Sequence, residues 1–179
     1  MAYLEGRNVR KSRERRALAN RTRFGRQVAA TEWAITEFGV LTTLWELGAP
    51  VPYPVQLDRT EILLEFIGDD DGGAAPRLAE IRPSEEEARS LWQQCLAAMS
   101  TLARAGYTHG DLSAYNLLVH DGRLVMIDVP QAVDVITNPQ GPDFLVRDVR
   151  NIAGWFTTHG RPDIDPEQIA AELISETGM

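Results

Sequence analysis

The segment His109-Gly110-Asp111-Leu112-Ser113-Ala114-Tyr115-Asn116 sets an acid and an amide five residues apart, and a second acid, Asp128, follows after two short apolar runs. Those runs, LLVH and LVMID, are joined by Asp121-Gly122, the dipeptide most favoured in two-residue hairpin turns. Such a turn pairs 120 with 123, 119 with 124, and so on back to 116 with 127. Asn116 and Asp128 then share one end of the hairpin, about 5 to 8 Å apart. Ideal pleating sends 116 and 128 to opposite faces, so a shared ion requires a bulge or a departure from the ladder at the strand end. Two oxygen donors without a His or Cys cluster suit a hard cation, Mg²⁺ or Mn²⁺, that completes its shell with water and phosphate oxygens. Asp111 is then placed to accept a proton from an attacking hydroxyl, which is the chemistry of metal-assisted phosphoryl transfer. Singly, each of these residues is more often a turn former or a strand-end cap. The three in register with the hairpin point to catalysis.

The elements that must position them are legible around the motif. A helix is predicted from near Thr31, with Ala34, Phe38, Leu41 and Trp45 at helical spacing and Gly48 and Pro50 as its stop. VPYPVQL reads as a proline-bounded edge strand, and EILLEFIG as a buried strand running into the acidic loop Asp69 to Gly73. Ser84 with Glu87 three residues on is a capping box. It opens a helix whose apolar stripe is Ala88, Leu91, Trp92, Cys95, Met99 and Leu102, ended by Gly106. After the hairpin, a helix fits Phe144 to Phe156 with Leu145, Val149, Ile152, Trp155 and Phe156 inward. A last one starts at Asp165-Pro166, with Asp as cap and Gln168 completing the box. His120 and His159 read as surface residues.

Composition narrows the class. The 179 residues are 44% hydrophobic and 25% charged, with no apolar run near the length of a membrane span. Cys95 is the sole cysteine, so no intramolecular disulfide forms, and the N-terminus has no apolar signal region; the expected compartment is the cytoplasm, with no membrane partner. The net charge of −8 hides a split. Residues 1–26 carry nine basic residues against Glu5 and Glu14, a net +7, and the remaining 153 residues carry −15. Seventeen of the eighteen basic residues are arginine and one, Lys11, is lysine. Residues 7–26 are rich enough in arginine to contact RNA through phosphates, and equally suited to lie on the acidic body of the same chain.

The stretch HGDLSAYNLLVHDGRLVMIDVPQAV resembles the catalytic and metal-binding segments of the RIO family of atypical protein kinases, whose loop reads H-x-D-L-S-x-(F/Y)-N and whose next strand ends I-D-x-(S/P)-Q. The likeness extends through TEWAITEFGVLTTLWELGAPVPYPV, LLEFIGDDDGGAAPRL and NPQGPDFLVRDVRNIAGWF, roughly Arg7 to Phe156. It implies an α+β, protein-kinase-like fold: a basic arm at 1–26, a partial N-terminal lobe at 27–67 (a helix, two strands and a hinge), and a mostly helical C-terminal lobe at 68–179. It implies Asp111 as catalytic base and Asn116 and Asp128 as metal ligands, with Asp128 also the residue that in some relatives is proposed to accept a phosphoryl group transiently. Glu65, Phe66 and Ile67 match the hinge, where backbone groups of Glu65 and Ile67 pair with adenine. Glu37 matches the helix glutamate that pairs with the ATP-positioning lysine, and Asp148 the acid that braces the catalytic loop from below. The read-out of these residues alone stays open. Glu37 is equally a boundary residue in water, Glu65 a strand end, and Asp148 a buried structural acceptor. His109 is expected to pack and hydrogen-bond.

The implied activity is that of a serine/threonine protein kinase or ATPase, transferring phosphoryl from ATP with Mg²⁺ or Mn²⁺ to a protein substrate or to itself, with Ser12 as an autophosphorylation site and a ribosomal RNA or protein as a partner. The sequence departs from a complete kinase in one respect. No G-x-G-x-x-G can be drawn in it, and Lys11 lies in RNVRKSRERR with no strand pattern around it. The chain is expected to begin after the Gly-rich loop and the lysine strand, as a truncated or a degenerate member. Without a phosphate clamp the expected rate falls by several orders of magnitude. Two other readings compete: a small-molecule phosphotransferase of the aminoglycoside or choline kinase type, which shares H-G-D-x-x-x-x-N, and a noncatalytic module that binds nucleotide, RNA or protein.

Overall fold

The computed structural model describes residues 23–129 and 133–178. The arm at 1–22, with Lys11 and Ser12, the Pro130-Gln131-Ala132 stretch of the I-D-x-P-Q motif, and Met179 lie outside the described residues. In chain order the elements are α1 (Arg23–Glu46), β1 (Pro54–Asp58), β2 (Glu61–Leu64), a 3₁₀ turn (Leu78–Glu80), α2 (Glu85–Arg104), β3 (Tyr107–Thr108), β4 (Leu117–His120), β5 (Arg123–Met126), β6 (Val133–Asp134), α3 (Gly141–Thr158) and α4 (Pro166–Glu176). The strands form three antiparallel pairs, β1 with β2, β3 with β6 and β4 with β5. The fold class is α+β.

The central element is α2. Ser84 Oγ accepts from the Glu87 N–H at 3.3 Å while the Glu87 carboxylate accepts from the Ser84 N–H at 2.8 Å, so two of the orphan donors at the helix start are satisfied. Glutamates 85–87 in the first turn and Arg104 in the last match the helix dipole. The stripe Ala88, Leu91, Trp92, Cys95, Met99 and Leu102 is buried, as its spacing requires. Against it close α3, through Leu145, Val149, Ile152 and Phe156, and α4, through Ala170 and Leu173. Trp92 and Phe156 meet edge to face at 5.2 Å. Burying each such side chain contributes about 1.5–3 kcal/mol. The hairpin lies on the same core through Leu117, Leu124 and Met126. Its tip is held by Gln94 of α2, which donates to the Gly122 carbonyl at 2.9 Å and accepts from the Leu124 N–H at 2.9 Å.

Several sequence expectations are corrected. Helix α1 is already present at Arg23, eight residues before Thr31 and inside the stretch assigned to the basic arm. Residues 23–30 include strong helix formers, and Gln27, Ala29 and Ala30 are exposed. The inward residue near the end of α1 is Leu44, fully buried, whereas Trp45 is 45% exposed and packs edge-on against Tyr53 at 4.9 Å. Strand β2 is four residues long and alternates exposed with half-buried. The β1–β2 pair packs on α1 and sends Leu64 toward the core, while Leu63 and, just beyond the strand, Phe66 are exposed. Helix α3 is longer at both ends than Phe144 to Phe156, and Trp155 is half-buried rather than inward. At α4, Asp165 caps through Oδ1 to the N–H groups of Glu167 and Gln168. Gln168 instead turns to Glu172, and the box is not completed. His159 is half-buried, stacked on Trp155 at 3.9 Å.

No helix among the described residues is long and apolar enough to cross a membrane. Cys95 lies on the fully buried face of α2, and burial pushes its thiol up to about 12. The native protein is therefore expected to give no thiol colour with a disulfide reagent at pH 8. One equivalent should appear only with denaturant, at a rate that follows unfolding; rapid labelling of the folded chain would mean that the α2 packing is wrong.

Candidate active site

The site is assembled by one hairpin and one buried acid. The β4–β5 register is 120 with 123, 119 with 124, 118 with 125 and 117 with 126, the pairing that the Asp121-Gly122 turn predicts. Both turn residues have positive φ, 49° and 72°, as a primed hairpin turn demands. The ladder continues one step beyond the strands through the Ile127 N–H to the Asn116 carbonyl at 2.9 Å. At Asp128 it breaks, with φ at +60° in a residue other than glycine. This local strain is the departure from the ladder that a shared ion at Asn116 and Asp128 requires, and strain of this kind concentrates at functional sites.

The preceding loop is held from below by Asp148 of α3, 1% exposed. Its Oδ2 accepts from Thr108 Oγ1 at 2.8 Å and from the Gly110 N–H at 2.6 Å, and its Oδ1 from the Leu112 N–H at 2.9 Å. The neighbouring Arg147 donates to the Gly110 carbonyl, so both backbone polar groups of Gly110, in two successive peptide units, are fixed by consecutive residues of one helix. Gly110 has φ +86°, which a side chain would strain. Buried His109 places Nε2 3.0 Å from the Ile127 carbonyl. A carbonyl can only accept, so Nε2 carries the proton and Nδ1 accepts from the Asp111 N–H at 3.3 Å. Asn116 Nδ2 donates to the Asp111 carbonyl at 2.9 Å, which turns Oδ1 outward as the free donor atom. Among the described residues nothing donates to the carboxylates of Asp111 or Asp128.

Asp111, Asn116 and Asp128 are thus brought to one end of the hairpin. The donor set fits a hard cation: an amide oxygen left free by its own hydrogen bond and an exposed carboxylate, with no group of three or more His, Cys, Asp or Glu able to hold a metal among the described residues. Glu37 and Asp128 line one cleft with Leu41, Pro52, Leu64, Ile127 and Val129. Burial, and then repulsion from Asp128, push the Glu37 carboxyl above its usual range, and among the described residues no cation pairs with it. Pro52, Leu64 and Ile127 are shared with a second cleft lined by Glu65, Phe66, Ile67 and Arg77, so a continuous groove runs from residues 65–67 to Asp128. Glu65 uses its N–H and its carboxylate on Tyr53, at 2.9 and 3.0 Å, and Ile67 uses its carbonyl on Ala75 at 3.0 Å. The Glu65 carbonyl and the Ile67 N–H have no partner among the described residues. Phe66 is 61% exposed.

Three participants escaped the sequence reading. Thr108 completes the Asp148 cluster, Arg147 holds Gly110, and Arg77 donates through Nη1 to the Tyr115 carbonyl at 2.6 Å. Arg147 had a signal in its place directly before Asp148; Arg77 had none.

An α+β body with this loop, hairpin and bracing acid has the layout of a kinase-like C-terminal lobe. A model of the RIO domain matches residues 2–169. The RIO-type serine/threonine-protein kinase Rio1 of Haloferax volcanii is 38% identical over 146 residues, 82% of this chain and 49% of that protein. The serine/threonine-protein kinase RIO3 of Mus musculus is 39% identical over 129 residues, 72% of this chain and 24% of that protein. The rio1 kinase of Schizosaccharomyces pombe is 38% identical over 125 residues, 69% and 25% of the two chains. The chain belongs to the RIO family, and it spans between a quarter and a half of the length of these relatives.

Asp148→Ala leaves two buried backbone donors, at Gly110 and Leu112, and the Thr108 hydroxyl without their acceptor. The expected cost is about 3 kcal/mol in urea unfolding, accompanied by loss of hydrogen-exchange protection at Gly110 and Leu112. Asp148→Asn, which keeps one acceptor oxygen, should fall between wild type and alanine.

Proposed function

We propose that the chain carries the catalytic and metal-binding part of an ATP-dependent RIO-type serine/threonine kinase or ATPase. The observation that carries this reading is the Asn116 Nδ2 to Asp111 carbonyl bond at 2.9 Å, made at the end of the hairpin where Asp128 leaves the ladder. It ties a free acid to two free oxygen donors in one rigid unit. Asn116 Oδ1 and Asp128 are the residues that would hold a divalent ion. When bound, that ion supplies charge neutralisation for the phosphate oxygens. The unpartnered Glu65 carbonyl and Ile67 N–H suit the donor and acceptor edge of adenine. Asp111 accepts the proton of the acceptor hydroxyl as its oxygen bonds to the γ-phosphorus and the bond to the ADP leaving oxygen breaks. His109, through the Ile127 carbonyl, keeps the base loop and the metal-binding end at fixed separation.

Of the two families that share H-G-D-x-x-x-x-N, similarity favours the RIO kinases over small-molecule phosphotransferases. The acceptor is proposed to be a protein hydroxyl, on another chain or this one.

Two variants separate binding from chemistry. Mg²⁺ with ATP is expected to raise the melting temperature of the wild-type chain, and Asp128→Ala to abolish that rise. Asp111→Ala should keep the rise while lowering phosphate incorporation from labelled ATP by about 10²- to 10⁴-fold. A full thermal shift in Asp128→Ala would remove this aspartate from the metal site. No shift in the wild type would favour a noncatalytic module.

A further inference from the structure

The groove from the hinge segment to Asp128 is acidic. Glu37, Glu65, Glu80 and Asp128 line it, and among the described residues Arg77 is its one cation. A nucleoside triphosphate brings several further negative charges into the same space, so a cation held there is worth more than one on open surface.

Arg77 is held with care. Its N–H donates to Glu80 Oε2 at 2.9 Å, its backbone bridges to Leu118 of β4, and its Nη1 reaches the Tyr115 carbonyl at 2.6 Å. Tyr115 directly precedes Asn116, so the guanidinium is anchored beside the end of the hairpin that carries the metal-ligand candidates. Among the described residues it makes no ion pair. Of its five N–H donors, one serves Tyr115 and four remain. An arginine fork whose entropy is already spent on one backbone anchor is suited to a phosphate group, which it can take in a bidentate manner.

We propose that Arg77 binds the phosphate chain of the nucleotide that occupies this groove. The proposal rests on the nucleotide-binding reading above and names a contact which that reading does not contain. Arg77 shares the cleft of Glu65, Phe66 and Ile67, and its anchor on the Tyr115 carbonyl carries the guanidinium toward Asn116, where a phosphate chain leaving a base held at Glu65 to Ile67 would pass.

Calorimetric titration of the whole chain with ATP and with adenosine, both in Mg²⁺, tests it through Arg77→Gln, which keeps an amide donor for the Tyr115 carbonyl and removes the charge, and Arg77→Lys, which keeps the charge and removes the fork. Arg77→Gln is expected to weaken ATP about tenfold and adenosine by less than about twofold, with Arg77→Lys between, and the ATP loss should shrink as salt is added. Equal weakening of ATP and adenosine by Arg77→Gln would assign Arg77 a purely structural role through Tyr115 and overturn the proposal. Unchanged ATP affinity in Arg77→Gln would overturn it while leaving the nucleotide site standing. A wild-type chain that binds neither compound would overturn the nucleotide reading and this contact with it.

Discussion

Everything at the candidate site hangs on a buried carboxylate. Asp148 is almost wholly removed from solvent, and three donors from Thr108, Gly110 and Leu112 converge on it. A buried carboxylate is costly unless its lone pairs are satisfied. Here the satisfying groups are the hydroxyl and amides of the loop that presents Asp111. The energetic demand of the acid therefore dictates the loop conformation. Arg147, one residue earlier, takes the carbonyl of the next peptide, on the other side of the Gly110 Cα. Because Asp148 lies on the same buried face of α3 as Leu145, Val149 and Ile152, the core packing of α3 is transmitted directly to the loop that carries Asp111. Mispacking of that helix would be felt at Asp111 without any substitution in the loop.

The second constraint is geometric. A regular antiparallel ladder alternates its side chains, and under that rule Asn116 and Asp128 cannot serve one ion. The chain meets the difficulty by holding the ladder as far as the Ile127 N–H and then placing Asp128 at φ +60°. What secures Ile127 is its carbonyl bond to His109, and His109 in turn accepts from Asp111. The strained residue is bracketed by the loop that carries Asp111, and buried His109 is the link between the two.

The parts that could be read from sequence are those set by local chemistry. The Ser84–Glu87 box, the α2 stripe and the hairpin register all follow from short-range rules of capping, periodicity and turn type, and these dominate when a segment packs on a large core. The misreadings occur where tertiary context decides. Trp45 and Leu44 are neighbours, and periodicity could not say which faced inward until the β1–β2 pair was placed. EILLEFIG carries an apolar composition suited to a buried strand, yet the strand alternates exposed and half-buried, with one face on the body and the other in water. The donors to Asp148 and the reach of Arg77 to Tyr115 bridge 36 to 40 residues of chain. No spacing rule operates over that distance. Asp111, Asn116 and Asp128 were legible because a hairpin compressed their separation into a register problem.

The two sides of the groove differ in how firmly they are built. Eight of the ten exposed large hydrophobic residues among those described fall between Trp33 and Phe66, while the side carrying Asp111, Asn116 and Asp128 rests on α2, α3 and the hairpin, whose inward residues are nearly all buried. Local stability follows apolar burial, so the segment carrying Glu37 and the hinge opens more easily than the segment carrying Asp111. A ligand that touches both sides then does two things with one binding energy: it occupies the site and it stabilises the weaker wall. Burial, and then repulsion from Asp128, hold the Glu37 carboxyl above its usual range. Glu37 of that wall and Asp128 of the other side share one cleft, so the pair of carboxylates is the point at which the charge of one side is felt by the other.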